Sequence, residues 1–348
     1  MFTPDYTRIQ KAARNIGSDI VPLYDHIVSP NIIAQIINNS EFPKLWNGDD
    51  KDLNQFFKIF NNFLKDMGYD AVMFEGCISE ILPSGGALGG HVDPVIKTRE
   101  DFEKYPFEEI KDKYFNVFDR QFTALSNQMP LGMKAIGGVG NGVFEIVQDL
   151  TGYMNLCIML YDDPDLFNDL FRRVGDMMFE IWQEFLKKYS DTFCVLRFGD
   201  DLGFNTQTLL PHSCVKENII PQYKRIVDLV HSTNKPFLLH SCGNLFDVMD
   251  DIITLTGIDA KHSNEDGIAP FQQWIDKYGD KIGNFGGIDT DIICRDDTAF
   301  IKQYTTDVCK KAVGKGGIAI GTGNSVPDYV SVAGYLAMNE AVREFRGL

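Results

Sequence analysis

The chain has 348 residues, 44% of them hydrophobic and 24% charged, a balance that excludes disordered, collagen-like and disulfide-stapled proteins. Its net charge of −16 at pH 7 comes with no basic run that could neutralise phosphates, which excludes nucleic acid as a partner. No stretch approaches the roughly 18 apolar residues of a membrane span, and the N-terminus has no apolar signal core. We therefore expect a cytoplasmic protein with seven reduced cysteines.

Short apolar runs that end in Gly, Asp or Asn predict eight strands. In chain order they are residues 19–27, 69–76, 134–140, 194–203, 236–244, 257–265, 281–289 and 317–325. Apolar spacings of three and four residues predict intervening helices, most clearly over 163–189, 245–257 and 329–345. Eight alternating units of this kind predict the α/β class and a (β/α)8 TIM barrel that fills residues 1–348 as one domain.

A doubly wound open sheet is the main competing architecture, but no G-x-G-x-x-G turn follows the first predicted strand. The second predicted strand is followed by a Gly- and Pro-rich stretch, about residues 77–106. We expect this stretch to form an insertion, either a loop or a small hairpin. Long loops in compact domains are often functional, and a solvated surface elaboration is the competing interpretation.

In a barrel, the active site lies at the C-terminal ends of the strands. Polar side chains stand at the predicted ends of seven strands, and His91 lies in the insertion. The strand-end residues are Asp25, His26, Glu75, Cys77, Asp200, Asp201, His240, Cys242, His262, Asn264, Glu265, Asp289, Thr322 and Asn324. For His26, His91 and His262, an ordinary polar contact is the competing interpretation.

The triplet His240-Ser-Cys242 is the most specific of these features. Residues two apart on a strand point to the same side, so an imidazole and a thiol converge there. Such a pair is half of a zinc site. The competing interpretation is a packed thiol beside a histidine that binds a loop.

The pair Asp200-Asp201 is the second feature, because a carboxylate at a strand end can serve as general acid or base, metal ligand or substrate anchor. Adjacent residues on a strand alternate in direction, so only one of the two faces the barrel axis. The other caps a helix or pairs with a base such as Arg197. A loop aspartate that fixes a turn is the competing interpretation.

Several segments together resemble the uroporphyrinogen decarboxylase superfamily. They are RIQKAA from Arg8, DIVP at 19–22, residues 137–174, residues 197–244, GIDA at 257–260, NFGGID at 284–289 and IAIGTGNSVP at 318–327. The resemblance covers nearly the whole chain in the right order. It implies a (β/α)8 barrel with an N-terminal helical extension, about residues 1–18.

The superfamily holds two chemistries: cofactor-free decarboxylation of uroporphyrinogen, and zinc-dependent methyl transfer to or from a corrinoid protein. True decarboxylases open with an Arg-rich segment that neutralises their many-carboxylate substrate. The corresponding residues 21–30 contain no Arg. The chain therefore resembles the corrinoid-dependent methyltransferase and O-demethylase branch.

In that branch, H-x-C on strand five and a Cys on strand eight bind zinc, and His240 and Cys242 match the first two ligands. Thr322 stands near the third position, where no Cys is found. A substitute could come from Glu75, Cys77, Glu80, Asp200 or Asp201.

The resemblance implies a zinc-dependent enzyme that moves a methyl group between a small, methoxylated substrate and a corrinoid carried by a small partner protein. Asp200 and Asp201 are the expected catalytic residues. The expected substrate-binding residues are Glu75, His91, His26 and Asn264. The acidic surface is compatible with a monomer or a homodimer.

Two alternatives stay open. A metal-free decarboxylase would be active alone and without zinc. A non-catalytic barrel would bind a corrinoid or tetrapyrrole without turnover.

Overall fold

The computed structural model describes residues 2–18 and 20–348. Seven parallel strands form one sheet, and each strand pairs with its neighbours in chain order. They are β1 (Ala71–Cys77), β2 (Lys134–Gly140), β3 (Phe193–Gly199), β4 (Phe237–His240), β5 (Ala260–His262), β6 (Gly283–Ile288) and β7 (Ile318–Thr322). Parallel neighbours in sequence order require right-handed crossovers through helices, the repeat that builds βα barrels.

The α-helices of the described residues pack around this sheet. They are α1 (Tyr6–Ala13), α2 (Pro30–Ile36), α3 (Asp50–Met67), α4 (Arg99–Lys104), α5 (Ile110–Asn127), α6 (Val143–Thr151), α7 (Tyr153–Asp162), α8 (Pro164–Tyr189), α9 (His212–Cys214), α10 (Ile220–His231), α11 (Met249–Thr256), α12 (Phe271–Tyr278), α13 (Thr290–Arg295), α14 (Thr298–Ala312) and α15 (Val332–Phe345).

The predicted helices over 163–189, 245–257 and 329–345 correspond to α8, α11 and α15. Helix α8 begins where predicted, because the Asp163 side chain accepts a hydrogen bond from the Leu166 N–H and Pro164 occupies the first turn. Within the described residues, no helix has both the length and the apolar composition to cross a membrane.

The first predicted strand, residues 19–27, differs from the structure. Asp19 lies outside the described residues, and Leu23 forms only an isolated parallel bridge with Ile320. Val28 forms a second bridge, with Val326. Pro22 accepts a hydrogen bond from Ile320 through its carbonyl but has no N–H to donate, so a continuous ladder cannot form there. The sheet of the described residues therefore has seven strands, with this segment bridged to β7.

A buried carboxylate fixes the bridged segment in place. Asp25 accepts hydrogen bonds from the Thr322 N–H at 2.8 Å and the Thr322 hydroxyl at 2.7 Å. The hydroxyl groups of Tyr69 and Tyr335 donate to its other oxygen. Because Tyr69 lies two residues before the start of β1 and Thr322 ends β7, Asp25 links the segment to the first and the last strand of the sheet.

Helix α1, in the predicted N-terminal extension, lies at the N-terminal ends of the strands. The Gln10 amide donates to the Cys194 carbonyl of β3 at 3.1 Å. A Cβ atom at Gly283 or Gly317 would approach the Ala12 carbonyl oxygen to 2.4 or 2.0 Å, so this close contact requires glycine. The N-terminal side of the sheet is therefore covered, and the opposite side carries the polar strand ends.

The segment after β1, residues 78–106, contains two 3₁₀ turns, Ile78–Ile81 and Ala87–Gly89, and helix α4. It has no strand, so it is a loop and not a hairpin. Carboxylate oxygens of Asp149 on α6 accept the backbone N–H groups of Gly86 and Leu88. The loop is therefore attached to the helix that follows β2.

Replacing Asp25 with Ala should lower the free energy of unfolding by about 2 to 3 kcal/mol, because it removes the shared acceptor of four hydrogen bonds and leaves the buried Thr322 N–H without a partner. Urea denaturation followed by circular dichroism measures this. The matched variant Tyr335→Phe removes one donor and should cost only about 1 kcal/mol. Equal losses in the two variants would show that the carboxylate is not the anchor.

Candidate functional site

Three imidazoles meet at the C-terminal ends of the strands. His240 ends β4, His262 ends β5, and the two residues are paired in the sheet. His26, from the bridged segment, stacks on His240 with ring centroids 3.7 Å apart and planes 14° apart. All three are buried. The structure therefore joins residues from distant parts of the chain at one point.

Hydrogen bonds determine which nitrogen of His240 carries the proton. His262 Nε2 lies 2.9 Å from the Thr322 carbonyl oxygen, which can only accept, so this nitrogen is protonated. In a neutral His262 ring, Nδ1 is then an acceptor, and it lies 2.8 Å from His240 Nδ1. His240 therefore donates through Nδ1 and keeps a free lone pair on Nε2.

Burial keeps these rings neutral. Loss of hydration lowers the pKa of His26 and of His240 well below the usual histidine value. The same cause lowers the pKa of His262 to about 3. A neutral imidazole is the form that accepts a proton or binds a metal ion.

The free lone pair of His240 faces a thiol and a carboxylate. Its Nε2 atom lies 3.4 Å from Cys242 Sγ and 3.7 Å from Asp201 Oδ1. Asp201 also accepts the Cys242 backbone N–H at 2.9 Å, which fixes the carboxylate beside the thiol. Burial, followed by the nearby Asp201 charge, raises the pKa of Cys242. One potential ligand atom from each residue lies within 4.8 Å of the other two.

This trio has the donor types and the spacing of a zinc site. Zinc bonds of about 2.0 to 2.3 Å at tetrahedral angles place ligand atoms roughly 3.3 to 3.8 Å apart. The observed N–S and N–O distances, 3.4 and 3.7 Å, fall within that range. The His262 contact also holds His240 in the tautomer that a metal requires. The residues therefore fit a metal ion with three protein ligands.

The predicted alternatives for the third ligand lie elsewhere. Glu75 accepts two hydrogen bonds from the Arg197 guanidinium, at 2.8 and 3.1 Å. Cys77 Sγ lies 3.9 Å from Glu75, and Glu80 lies on the 3₁₀ turn after β1. Among the described residues, Asp201 is the carboxylate grouped with His240 and Cys242.

Arg197 and Glu75 form a buried ion pair in the wall of the site. Arg197 also donates to the Tyr24 hydroxyl and to the His26 carbonyl, at 2.8 and 2.9 Å. Glu75 Oε1 lies 3.8 Å from His26 Nε2. The guanidinium is therefore neutralised by the protein and orients the segment that carries His26.

Asp200 points away from the three imidazoles. Its carboxylate accepts the backbone N–H groups of Phe144 and Glu145, at the start of α6, and the Tyr223 hydroxyl. Burial raises the pKa of Asp200 to about 7. As expected for adjacent acids, one caps a helix and the other, Asp201, faces the site.

Among the described residues, the remaining predicted ones make no hydrogen bond to the trio. His91 is exposed in the loop after β1, and no hydrogen bond links it to the imidazoles in the part of the chain described. Asn264 is buried and donates to the Phe285 carbonyl at 3.3 Å. Thr322 binds Asp25, so its hydroxyl is not free for a ligand.

The sequence interpretation did not single out three residues that complete the site. The sequence placed His262 and Asn324 at predicted strand ends, and nothing else in the sequence indicated a role in the site. Asn324 Nδ2 lies 3.4 Å from Cys242 Sγ. Glu145, on α6, accepts a hydrogen bond from the Asp201 N–H at 3.1 Å. Burial, and after it the charges of Asp200 and Asp201, raises the pKa of Glu145 well above the usual value. Nothing in the sequence distinguished Glu145 from other helical acids.

A family model described as "Uroporphyrinogen decarboxylase (URO-D)" matches residues 54–345. No curated protein matches the sequence at a significant level. A solved structure of a methyltransferase from Methanosarcina mazei is similar in fold, with a TM-score of 0.73, 12% identity and 99% of each chain covered. A second structure is the "Putative Vitamin-B12 Independent Methionine Synthase from Listeria monocytogenes", with a TM-score of 0.53, 14% identity and coverage of 95% of this chain and 98% of that one.

Replacing Arg197 with Met should lower the free energy of unfolding by about 3 to 5 kcal/mol, because it leaves the buried Glu75 carboxylate without its counter-charge. The double variant with Glu75→Gln should lose less than the sum of the two single losses. Urea denaturation of the four proteins in this cycle measures the coupling. Strictly additive losses would contradict a buried pair.

Proposed function

This chain belongs to the uroporphyrinogen decarboxylase family, and we propose that it is a zinc-dependent methyltransferase on a (β/α)8 barrel. The reaction moves a methyl group between a small, methoxylated substrate and the corrinoid of a small partner protein. The segment around Leu23 takes the place of the eighth strand in this proposal. The fold that the chain shares with the Methanosarcina mazei methyltransferase is compatible with this function.

The observation that carries the proposal is the trio of His240 Nε2, Cys242 Sγ and Asp201 Oδ1 at the strand ends. Its donor set combines an imidazole, a thiol and a carboxylate, all of which bind zinc. Three protein ligands leave a fourth position for substrate, which is the arrangement of catalytic zinc sites. Zinc held there would supply a Lewis acid that takes up the negative charge developing on a heteroatom as its methyl group leaves.

The chain's own residues have distinct tasks in this reaction. His262 holds the His240 ring through the Nδ1 contact, so the Nε2 lone pair stays directed at the trio. Asn324 donates towards Cys242 Sγ at 3.4 Å and stabilises negative charge on the sulfur. The stacked ring of His26 covers one side of His240 and keeps water from it. Asp201 and Cys242 are held together by the hydrogen bond of 2.9 Å between them.

The charges at the strand ends favour methyl transfer over uroporphyrinogen decarboxylation. A substrate with many carboxylates requires free cations, and the Arg197 guanidinium is already paired with Glu75. Around this mouth, among the described residues, the carboxylates of Asp201, Glu265 and Asp289 outnumber the one further cation, the buried Lys261 ammonium, which donates to the Ser263 carbonyl. A polyanionic substrate would therefore meet repulsion here.

We expect near-stoichiometric zinc in the wild-type protein purified without chelator. His240→Ala, Cys242→Ala and Asp201→Ala should each lose most of it, because each removes one of only three protein ligands that would hold the metal. Plasma mass spectrometry of each protein, with concentration from amino-acid analysis, gives the metal content per chain.

The matched control is Cys77→Ala, which removes another thiol near the strand ends and should retain the metal. His262→Phe keeps all three ligands and should weaken zinc binding by roughly 10- to 100-fold, because it removes the partner that orients His240. Zinc absent from wild type after reconstitution, or equal zinc in all variants, would refute the trio as a metal site.

With a reduced corrinoid protein and methoxylated substrates, wild type should change the corrinoid absorbance spectrum, and Cys242→Ala should not. The spectrum reports methylation of the cobalt directly, and mass spectrometry of the demethylated product confirms the donor. Release of carbon dioxide from a carboxylated substrate by the metal-free protein would instead support the decarboxylase alternative. Tight tetrapyrrole binding with neither reaction would support the non-catalytic barrel.

A further inference from the structure

A lysine ammonium is buried between the sheet and helix α12, close to the strand ends. Lys261 lies in the middle of β5, and only 2% of it is exposed. Since side chains alternate along a strand, it points to the side opposite His262, towards the helices. Its Nζ atom lies 4.0 Å from the centroid of the Trp274 ring on α12, on which Phe246 stacks. An apolar residue would fill this space more readily, because a buried charge loses its hydration.

The partners of this ammonium lead towards the candidate metal site. In the described part of the chain, it donates one hydrogen bond, to the Ser263 carbonyl, and forms no ion pair. Burial lowers the pKa of Lys261 to about 8, so the side chain is mostly charged at neutral pH. The opposing influences, which favour the charged form, come from Cys242 first and then from Glu265 and Asp201. The cation therefore lies within electrostatic reach of two members of the trio.

Ser263 connects the cation to the sulfur of Cys242. Ser263 is buried directly after β5, and its hydroxyl oxygen lies 3.6 Å from Cys242 Sγ. A thiol can donate its proton to that oxygen, but the thiolate that binds a metal can only accept. The serine hydroxyl must then be the donor, beside the Asn324 amide at 3.4 Å from the same sulfur. Two donors, from the ends of β5 and β7, thus converge on one sulfur.

The ammonium fixes the serine from behind. Because it holds the Ser263 carbonyl from the helix side, the hydroxyl of that residue stays within reach of Cys242. We propose that Lys261 and Ser263 are positioning residues of the metal centre, the ammonium holding the serine and the serine hydroxyl donating to the ligating sulfur. This role rests on the proposed function. A hydrogen bond to a ligating sulfur reduces its electron donation and leaves the metal a stronger Lewis acid, which suits an ether oxygen.

Cobalt(II) tests the serine, because the thiolate-to-cobalt charge-transfer absorption reports how strongly the sulfur donates electrons. Titrated into the metal-free protein, Co²⁺ should bind wild type with one ion per chain and give this band. Ser263→Ala should move the band to longer wavelength and weaken Co²⁺ binding by roughly 10-fold, because the sulfur loses a hydrogen bond. Ser263→Thr keeps the hydroxyl and should return the band to its wild-type position.

Lys261→Met tests the ammonium. Met keeps an apolar stem against Trp274 but cannot hold Ser263, so the band should move in the same direction as in Ser263→Ala. The midpoint of urea unfolding should stay near that of wild type, since the removal of a buried charge offsets the loss of its hydrogen bond. The matched control is Lys235→Met, at a half-buried lysine just before β4, which should leave the band unchanged.

An unchanged band in both Ser263→Ala and Lys261→Met would overturn the proposal. A lower unfolding midpoint in Lys261→Met with an unchanged band would show that this lysine supports only the fold, and would also overturn it. Wild type without bound cobalt would refute the metal centre and these roles with it. Failure of the proposed reaction appears differently, as absent methyl transfer in a protein whose band shifts as expected.

Discussion

The buried contact between Asp25 and Thr322 connects the fold to the site. Through its N–H and hydroxyl, Thr322 holds Asp25. Through its carbonyl, the same residue accepts a hydrogen bond from the His262 Nε2–H group. Because His262 in turn orients His240, a single strand end fixes both the bridged segment and the tautomer of the candidate ligand.

The same anchor places His26. The residue after Asp25 can stack on His240 only if the bridged segment lies beside β7, and the two bridges there are short. Arg197 strengthens this arrangement by donating to the His26 carbonyl while its charge is satisfied by Glu75. The candidate site is therefore uncharged at its three imidazoles and negatively charged at the surrounding carboxylates of Asp201, Glu265 and Asp289. Such a division disfavours anionic ligands and favours cationic or neutral ones.

Most strands could be predicted because these buried parallel runs are apolar and are bounded by turn residues, such as Gly140 at the end of β2 and Asp289 directly after β6. The structure of the segment around Leu23 could not be predicted in this way. Its apolar residues follow the pattern of a strand, whereas Pro22 prevents a continuous hydrogen-bond ladder with β7. The H-x-C pair followed from the period of a strand. The third member, Asp201, was one of several candidates, since a sequence does not show that Glu75 is occupied by Arg197 or that Asp200 caps α6. Tautomers, too, depend on contacts such as that between His262 and Thr322, which join residues far apart in the chain.

The missing cysteine on the last strand has a structural explanation in these contacts. The end of β7 is occupied by the anchor, since Thr322 supplies the hydroxyl that Asp25 accepts, and a thiol is a much weaker donor. Asn324, two residues later, already contacts Cys242 Sγ and cannot serve as an anionic ligand. In the proposed zinc site, a third anionic ligand would come from another strand end, and Asp201 after β3 is held beside Cys242 by the hydrogen bond from the Cys242 N–H. In the proposed enzyme, the Asp201 carboxylate thus takes the place of a cysteine thiolate on β7. The end of β7 is not available for a metal ligand, because Thr322 there binds Asp25 of the bridged segment.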